Sequence, residues 1–155
     1  MIFGLPWWSV FRTESANTSR PRLISADFGL TPRATVVEAG DPHVALNSCY
    51  VVSCPTSWDA HALATLLNSC LAATWLNSLA EPASGGYRRY LGWTLSLFPI
   101  PRNWNRARVL LAALYERAIR DDLPSDAEIL SAVLDGYELD LVDVQALLSG
   151  SVDCD

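Results

Sequence analysis

Lysine is absent from this sequence: all eleven of its cationic residues are arginine. Together with the lack of any G-x-x-x-x-G-K stretch, this excludes a P-loop, whose lysine reaches the nucleotide phosphates. Also missing are G-x-G-x-x-G, G-x-S-x-G and H-E-x-x-H, the patterns of dinucleotide binding, of a nucleophile elbow and of a zinc peptidase. No complete catalytic apparatus can be named. No apolar run approaches the ~20 residues that span a bilayer, because the most apolar helical stretch is interrupted by Asn68, Ser69, Asn77 and Ser78. The opening MIFGLPWWSVF has no basic segment and carries a proline and two tryptophans, so it does not read as a secretory leader. The expectation is a soluble, cytoplasmic protein with no membrane partner, whose four cysteines (Cys49, Cys54, Cys70, Cys154) are reduced thiols.

What is present is ample core material, with 50% hydrophobic and only 18% charged residues in 155. A chain of that length buries roughly 68–70% of its unfolded surface, which suits one globular unit. The net charge of −6 is unevenly placed. Residues 1–110 hold nine Arg against six acids, whereas residues 111–155 hold two Arg against eleven. A mildly basic body, residues 1–104, is therefore expected to precede an acidic helical tail, residues 105–155. Arginine makes planar bidentate contacts with phosphate and guanine, so the basic body tolerates a nucleic-acid partner despite the acidic total.

Three short β-type runs, at 22–27, 34–38 and 48–53, are separated by Gly29, Pro32, Gly40 and Pro42. A small antiparallel sheet follows from them. At Thr56-x-x-Asp59, a capping-box signature, the period changes. Leu63, Leu66, Leu67, Cys70, Leu71, Trp75 and Leu79 recur at helical spacing until Pro82 and Gly85-Gly86. One long packed helix is predicted there, with a further strand around Tyr90–Leu97 and extended chain at Phe98-Pro99-Ile100-Pro101. Helices are expected at 105–120, from the Ser125-x-x-Glu128 cap onward, and at 140–149. The fold class is α+β: a small, mainly antiparallel sheet, one long packed helix and a helical C-terminal tail.

LNSC occurs at residues 46–49 and again at 67–70. The first copy enters a predicted strand and the second lies in a predicted helix, so they are not copies of one unit. His43, Cys49, Cys54 and His61 fall close enough to raise zinc, but without C-x-x-C or H-x-x-x-H spacing, and small buried hydrophobe is the commoner fate of a free cysteine. A nucleophilic Cys-His pair has no more support. Asn68, on the apolar side of the predicted helix, needs a specific partner, because an unpaired buried amide costs about 1–3 kcal/mol; a bond to a neighbouring loop or strand is the plainer role.

Gly85-Gly86-Tyr87-Arg88-Arg89-Tyr90 is the segment best suited to face a ligand. Its glycines allow close backbone approach, its arginines suit phosphates or guanine edges, and its tyrosines suit packing or stacking. A solvated strand with a glycine-rich lead-in fits equally. Arg102, Arg106 and Arg108 around Trp104 form a second basic patch at a helix start, where the dipole disfavours cations.

In order along the chain, Pro6-Trp7-Trp8, Arg20-Pro21-Arg22-Leu23-Ile24 with Asp27, Leu46-Asn47-Ser48 with Tyr50-Val51-Val52, Leu66-Leu67-Asn68-Ser69, Gly85 to Tyr90 and Leu97-Phe98-Pro99-Ile100-Pro101 form a series. It resembles the C-terminal target-recognition region, the TaqI-like specificity domain, of adenine-specific DNA methyltransferases of restriction-modification and related phage-defence systems. The resemblance covers most of the chain, and Tyr137-x-Leu139 followed by Asp143 is similar to that family's short helical end. It implies a module that grips double-stranded DNA and reads its target, with no cofactor of its own. S-adenosylmethionine and the methyl transfer would belong to a partner methyltransferase domain or subunit. The candidate DNA contacts on this reading are Arg20, Arg22, Arg33, Tyr87, Arg88, Arg89 and Arg102. The alternatives are a non-functional remnant of such an enzyme, or a protein-interaction module docking through Trp7, Trp8 and the long helix.

Overall fold

The computed structural model describes residues 17–46 and 48–149. The Pro6-Trp7-Trp8 opening, with the docking face expected on it, lies outside the described residues, as do Asn47 and Cys154. The elements begin with β1 (Arg22–Ala26), the two-residue β2 (Phe28–Gly29), β3 (Ala34–Val37) and β4 (Cys49–Ser53). Next come α1 (Ser57–Leu67), α2 (Cys70–Leu79), β5 (Glu81–Pro82), a 3-10 turn at Ser84–Gly86 and β6 (Arg88–Arg89). Four helices complete the described chain: α3 (Gly92–Ser96), α4 (Trp104–Ala118), α5 (Asp126–Tyr137) and α6 (Leu141–Leu148). The architecture is α+β, with two small antiparallel sheets instead of one.

The first sheet has the order β3-β1-β4, and β1 is paired antiparallel on both edges, with Leu23 between Val36 and Val52. Leu23 packs with residues of α1 and Arg22 on the opposite face meets the Asp41 and His43 carbonyls, so both are buried. Helix α1 lies against this sheet with Ala60, Ala64 and Leu67, while its Ala62 and Leu66 join Leu111, Val133 and Val144 in a second cluster formed with the C-terminal helices. It is buried on most sides and central, with Asp59, His61 and Thr65 among its buried residues. Residues 104–148 thus share a core with residues 62–71. Alanines 60, 62, 64, 107 and 112 are all buried and let helix backbones approach. A Cβ at Gly136 would meet the Cβ of Ala107 at 3.1 Å, so α5 crosses α4 at equal closeness.

Two expectations are corrected. The single long helix is two, because Asn68 caps the end of α1 and Ser69 caps the start of α2, its hydroxyl accepting from the Ala72 N–H and donating to the Leu66 carbonyl. The axis turns by 70° at that point. Asn and Ser compete with helical hydrogen bonding and favour caps, so the apolar periodicity continues across a break that the polar dipeptide makes. The strand expected at Tyr90–Leu97 does not form: the strand here, β6, ends at Arg89, and Gly92–Ser96 is a helical turn that buries Thr94 and exposes Trp93, with Leu97 exposed at its end. Alternating apolar residues over so short a run fit either period. Among the described residues no single helix is long and apolar enough to cross a membrane.

Candidate nucleic-acid interface

The segment from Gly85 to Tyr90 folds as a hairpin tip and its return strand. Gly85 and Gly86 take φ of +73° and +80°, left-handed backbone open to glycine at little cost, and the turn closes with Ala83 N–H donating to the Tyr87 carbonyl at 2.8 Å. Strand β6 then pairs with β5 on one side and β2 on the other, placing Arg89 between Glu81 and Phe28, and Arg88 between Pro82 and Gly29. Directly opposed residues share a face of a sheet and successive residues alternate. One face of this second sheet therefore carries Glu81, Arg89, Phe28 and Tyr87; the other carries Arg88 and Tyr90.

The two faces differ in kind. Tyr90 is buried, its hydroxyl donating to Asn77 Oδ1 at 2.7 Å and its N–H to the Asp27 carbonyl at 2.8 Å, and burial pushes its phenol up to about 12. This inner face anchors the hairpin, and Arg88 beside it is half-buried. On the outer face Phe28 and Tyr87 stack in parallel, with ring centroids 5.0 Å apart and 4° between planes. Both rings remain open to solvent, at 44% and 41%. Arg89 and Glu81 are exposed next to them.

The described arginines divide by partner. Arg106 pairs with Asp135, Arg108 with Asp59, Arg117 with Asp122 and Glu128, and Arg120 with Glu116. The basic patch expected around Trp104 is thereby reduced to Arg102, since its other two cations are neutralised within the fold. Arg22 is 1% exposed and donates to the carbonyls of Asp41 at 2.7 Å and His43 at 2.8 Å, which fixes the β3–β4 loop. Its burial corrects its place among the DNA contacts. Arg20, Arg33, Arg88, Arg89 and Arg102 form no ion pair among the described residues, and all but Arg88 are exposed.

These five do not form one cluster. Arg33 sits beside the hairpin, its carbonyl accepting from the Ala26 N–H two residues before Phe28. Arg20 lies beyond the other end of β1, six residues from Ala26 and so roughly 20 Å of extended chain away at ~3.3 Å per residue. Arg102 precedes the N-cap of α4.

Two buried polar networks serve the scaffold. Asp59 accepts from the Thr56 hydroxyl (2.6 Å), Trp104 Nε1 (2.8 Å) and Arg108 (3.0 Å), tying the starts of α1 and α4 together. Burial pushes its carboxyl up, but these three donors and the Arg108 charge outweigh that and hold it below the ordinary value. His61 lies under Tyr115 with Nε2 2.7 Å from Glu38 and Nδ1 2.9 Å from Glu116. The second approach is close but poorly directed, so it counts as an ion-pair distance and not a hydrogen bond. Among the described residues no group of three His, Cys, Asp or Glu side chains could hold a metal.

Sequence reading missed Phe28 and Glu81 as members of this site. Each becomes visible only through pairing with Arg89, sixty-one and eight residues away in the chain. No protein-family model matches the chain, and no curated protein matches it.

Proposed function

We propose that this chain is a DNA-binding target-recognition module that acts beside a methyltransferase domain or subunit, as the resemblance implies. The observation that supports it is the set of exposed arginines without an internal carboxylate partner, of which Arg89 stands on one face of the hairpin with the exposed Phe28–Tyr87 pair. A protein surface whose arginines lack carboxylate partners favours phosphate, because each neutralised phosphate releases condensed counterions. The proposed contact set is Arg20, Arg33, Tyr87, Arg88, Arg89 and Arg102, with Arg22 removed.

S-adenosylmethionine belongs to the partner in this reading. The paired glycines here join two antiparallel strands, whereas a cofactor phosphate or carboxylate cradle of the usual kind joins a strand to a helix N-terminus. In this reading the described residues supply recognition and positioning, and the partner supplies the chemistry.

A second reading, a protein-interaction module, has an observation of its own. A cleft of about 320 Å³ between the first sheet and α1 is lined by Leu23, Val52, Leu95 and Ile100. Trp58, Trp93 and Leu97 are exposed apolar residues of the same body. The two readings are separated by selecting the purified chain on a pool of random duplex DNA at two salt concentrations and sequencing the retained fraction. Enrichment of one motif, with retention falling as salt rises, supports DNA recognition. Retention of no duplex, with or without a methyltransferase subunit added, favours the protein-binding alternative.

A further inference from the structure

We propose that the outer face of β5–β6–β2 is a base-reading ribbon, in which Arg89 reads guanine, Glu81 reads the cytosine amino group and the Phe28–Tyr87 stack reads a thymine methyl. The inference rests on the DNA-binding function proposed above and assigns the bases it would recognise. Its basis is the register: Glu81, Arg89 and Phe28 stand in one row on one face. With strands about 4.8 Å apart, the row spans roughly 10 Å. Laid along the groove, that is about three base-pair steps of 3.4 Å, and a major groove roughly 12 Å wide admits a two-stranded ribbon such as β6 with one of its neighbours.

The residue types separate base reading from a mere grip on the backbone. A face that only holds phosphates has no use for a carboxylate beside its arginine, and Glu81 would be repelled there. In the major groove the same carboxylate accepts from cytosine N4, while arginine donates twice to guanine O6 and N7. Guanine and cytosine expose these groups as opposite partners, so neighbouring Arg89 and Glu81 can serve adjacent positions. An apolar ring meets the thymine C5 methyl favourably, and Phe28 and Tyr87 are 44% and 41% exposed. Phosphate contact falls to Arg33, just before β3, whose backbone meets Ala26 two residues before Phe28.

The test uses the full chain. The duplex motif selected by the wild type is compared with those selected by Arg89→Ala and Glu81→Gln, and the thymines of the wild-type motif are replaced by uracil, which lacks only the methyl. The ribbon predicts a motif containing guanine with a thymine nearby. It predicts that Arg89→Ala loses the guanine preference by roughly tenfold or more, that Glu81→Gln relaxes cytosine preference, and that uracil weakens wild-type binding a few-fold but leaves the binding of Phe28→Ser/Tyr87→Ser unchanged. Salt-dependent binding with a defined motif that survives Arg89→Ala, or that ignores uracil, would overturn the ribbon and leave the DNA-binding function standing. Absence of any duplex binding would overturn both. The wild-type half of the uracil arm needs no protein variant, so it is independent of folding.

Discussion

Asn68 pairs with the backbone of Ala34 at both ends of its amide: Nδ2 donates to the Ala34 carbonyl at 2.8 Å, and Oδ1 accepts from the Ala34 N–H at 2.8 Å. The side chain imitates one rung of a β-ladder and joins the end of α1 to the outer strand of the first sheet. Its position at the helix end leaves it exposed, so the bond secures an edge and not a core.

Asn68→Ala should destabilise the fold by about 1–2 kcal/mol, the net loss of two hydrogen bonds whose partners can turn to water. Urea unfolding would show it as a lower midpoint at unchanged slope. Asn68→Asp, which keeps one acceptor and loses the donor, should fall between.

Asp59 carries a larger share. It is 5% exposed and serves three donors, so Asp59→Ala leaves Trp104 and Arg108 without their carboxylate. A loss of roughly 2–4 kcal/mol is expected, short of a fully buried pair because Arg108 is about one-third exposed. Unfolding followed by tryptophan fluorescence would measure it, and Asp59→Asn should recover part of it by still accepting from Trp104.

Stability should fall in acid. Burial pushes the carboxyls of Asp59 and Glu38 up, yet hydrogen bonds from Thr56, Trp104 and Arg108, and from Ser57 and His61, outweigh it, so both sit below their ordinary 3.8 and 4.5. The backbone N–H of Ser125 and the Arg117 guanidinium hold Glu128 down at about 2. Groups depressed in the folded state contribute stability above their unfolded pKa and lose it as pH drops through the folded one. The urea midpoint should therefore decline below about pH 4, and the decline should be shallower in Asp59→Asn.

Arg88 and Arg89 should not be equivalent. They lie on opposite faces of β6, Arg88 half-buried beside Tyr90 and Arg89 exposed with Phe28. Arg89→Ala should weaken duplex binding more than Arg88→Ala and cost less stability; equal losses in both assays would count against the division of faces. Gly86→Ala tests the same hairpin, since a side chain at φ +80° costs about 1–2 kcal/mol.

How much of this was legible depended on distance along the chain. The strands at 22–26, 34–37 and 49–53 and the capped helices at 126–137 and 141–148 follow signals a few residues wide, such as the Ser125–Glu128 box that forms as read. The break at Asn68-Ser69 was present as two capping residues, but the leucine period ran across it. The fate of the arginines was not legible, because Arg22 and Arg20 differ only by one being drawn into a strand covered on both sides. The second sheet was least legible of all: its strands are two residues long and its decisive pair, Phe28 with Arg89, is set by tertiary packing around Tyr90.

The most direct test of the central claim is fluorescence anisotropy of the full chain with the selected duplex across a range of salt, for the wild type and for Arg33→Ala. The account predicts that log K falls linearly with log salt for the wild type, and that Arg33→Ala reduces the slope by about 1. Binding whose strength does not change with salt, or a slope that Arg33→Ala leaves unaltered along with Arg89→Ala, would contradict it.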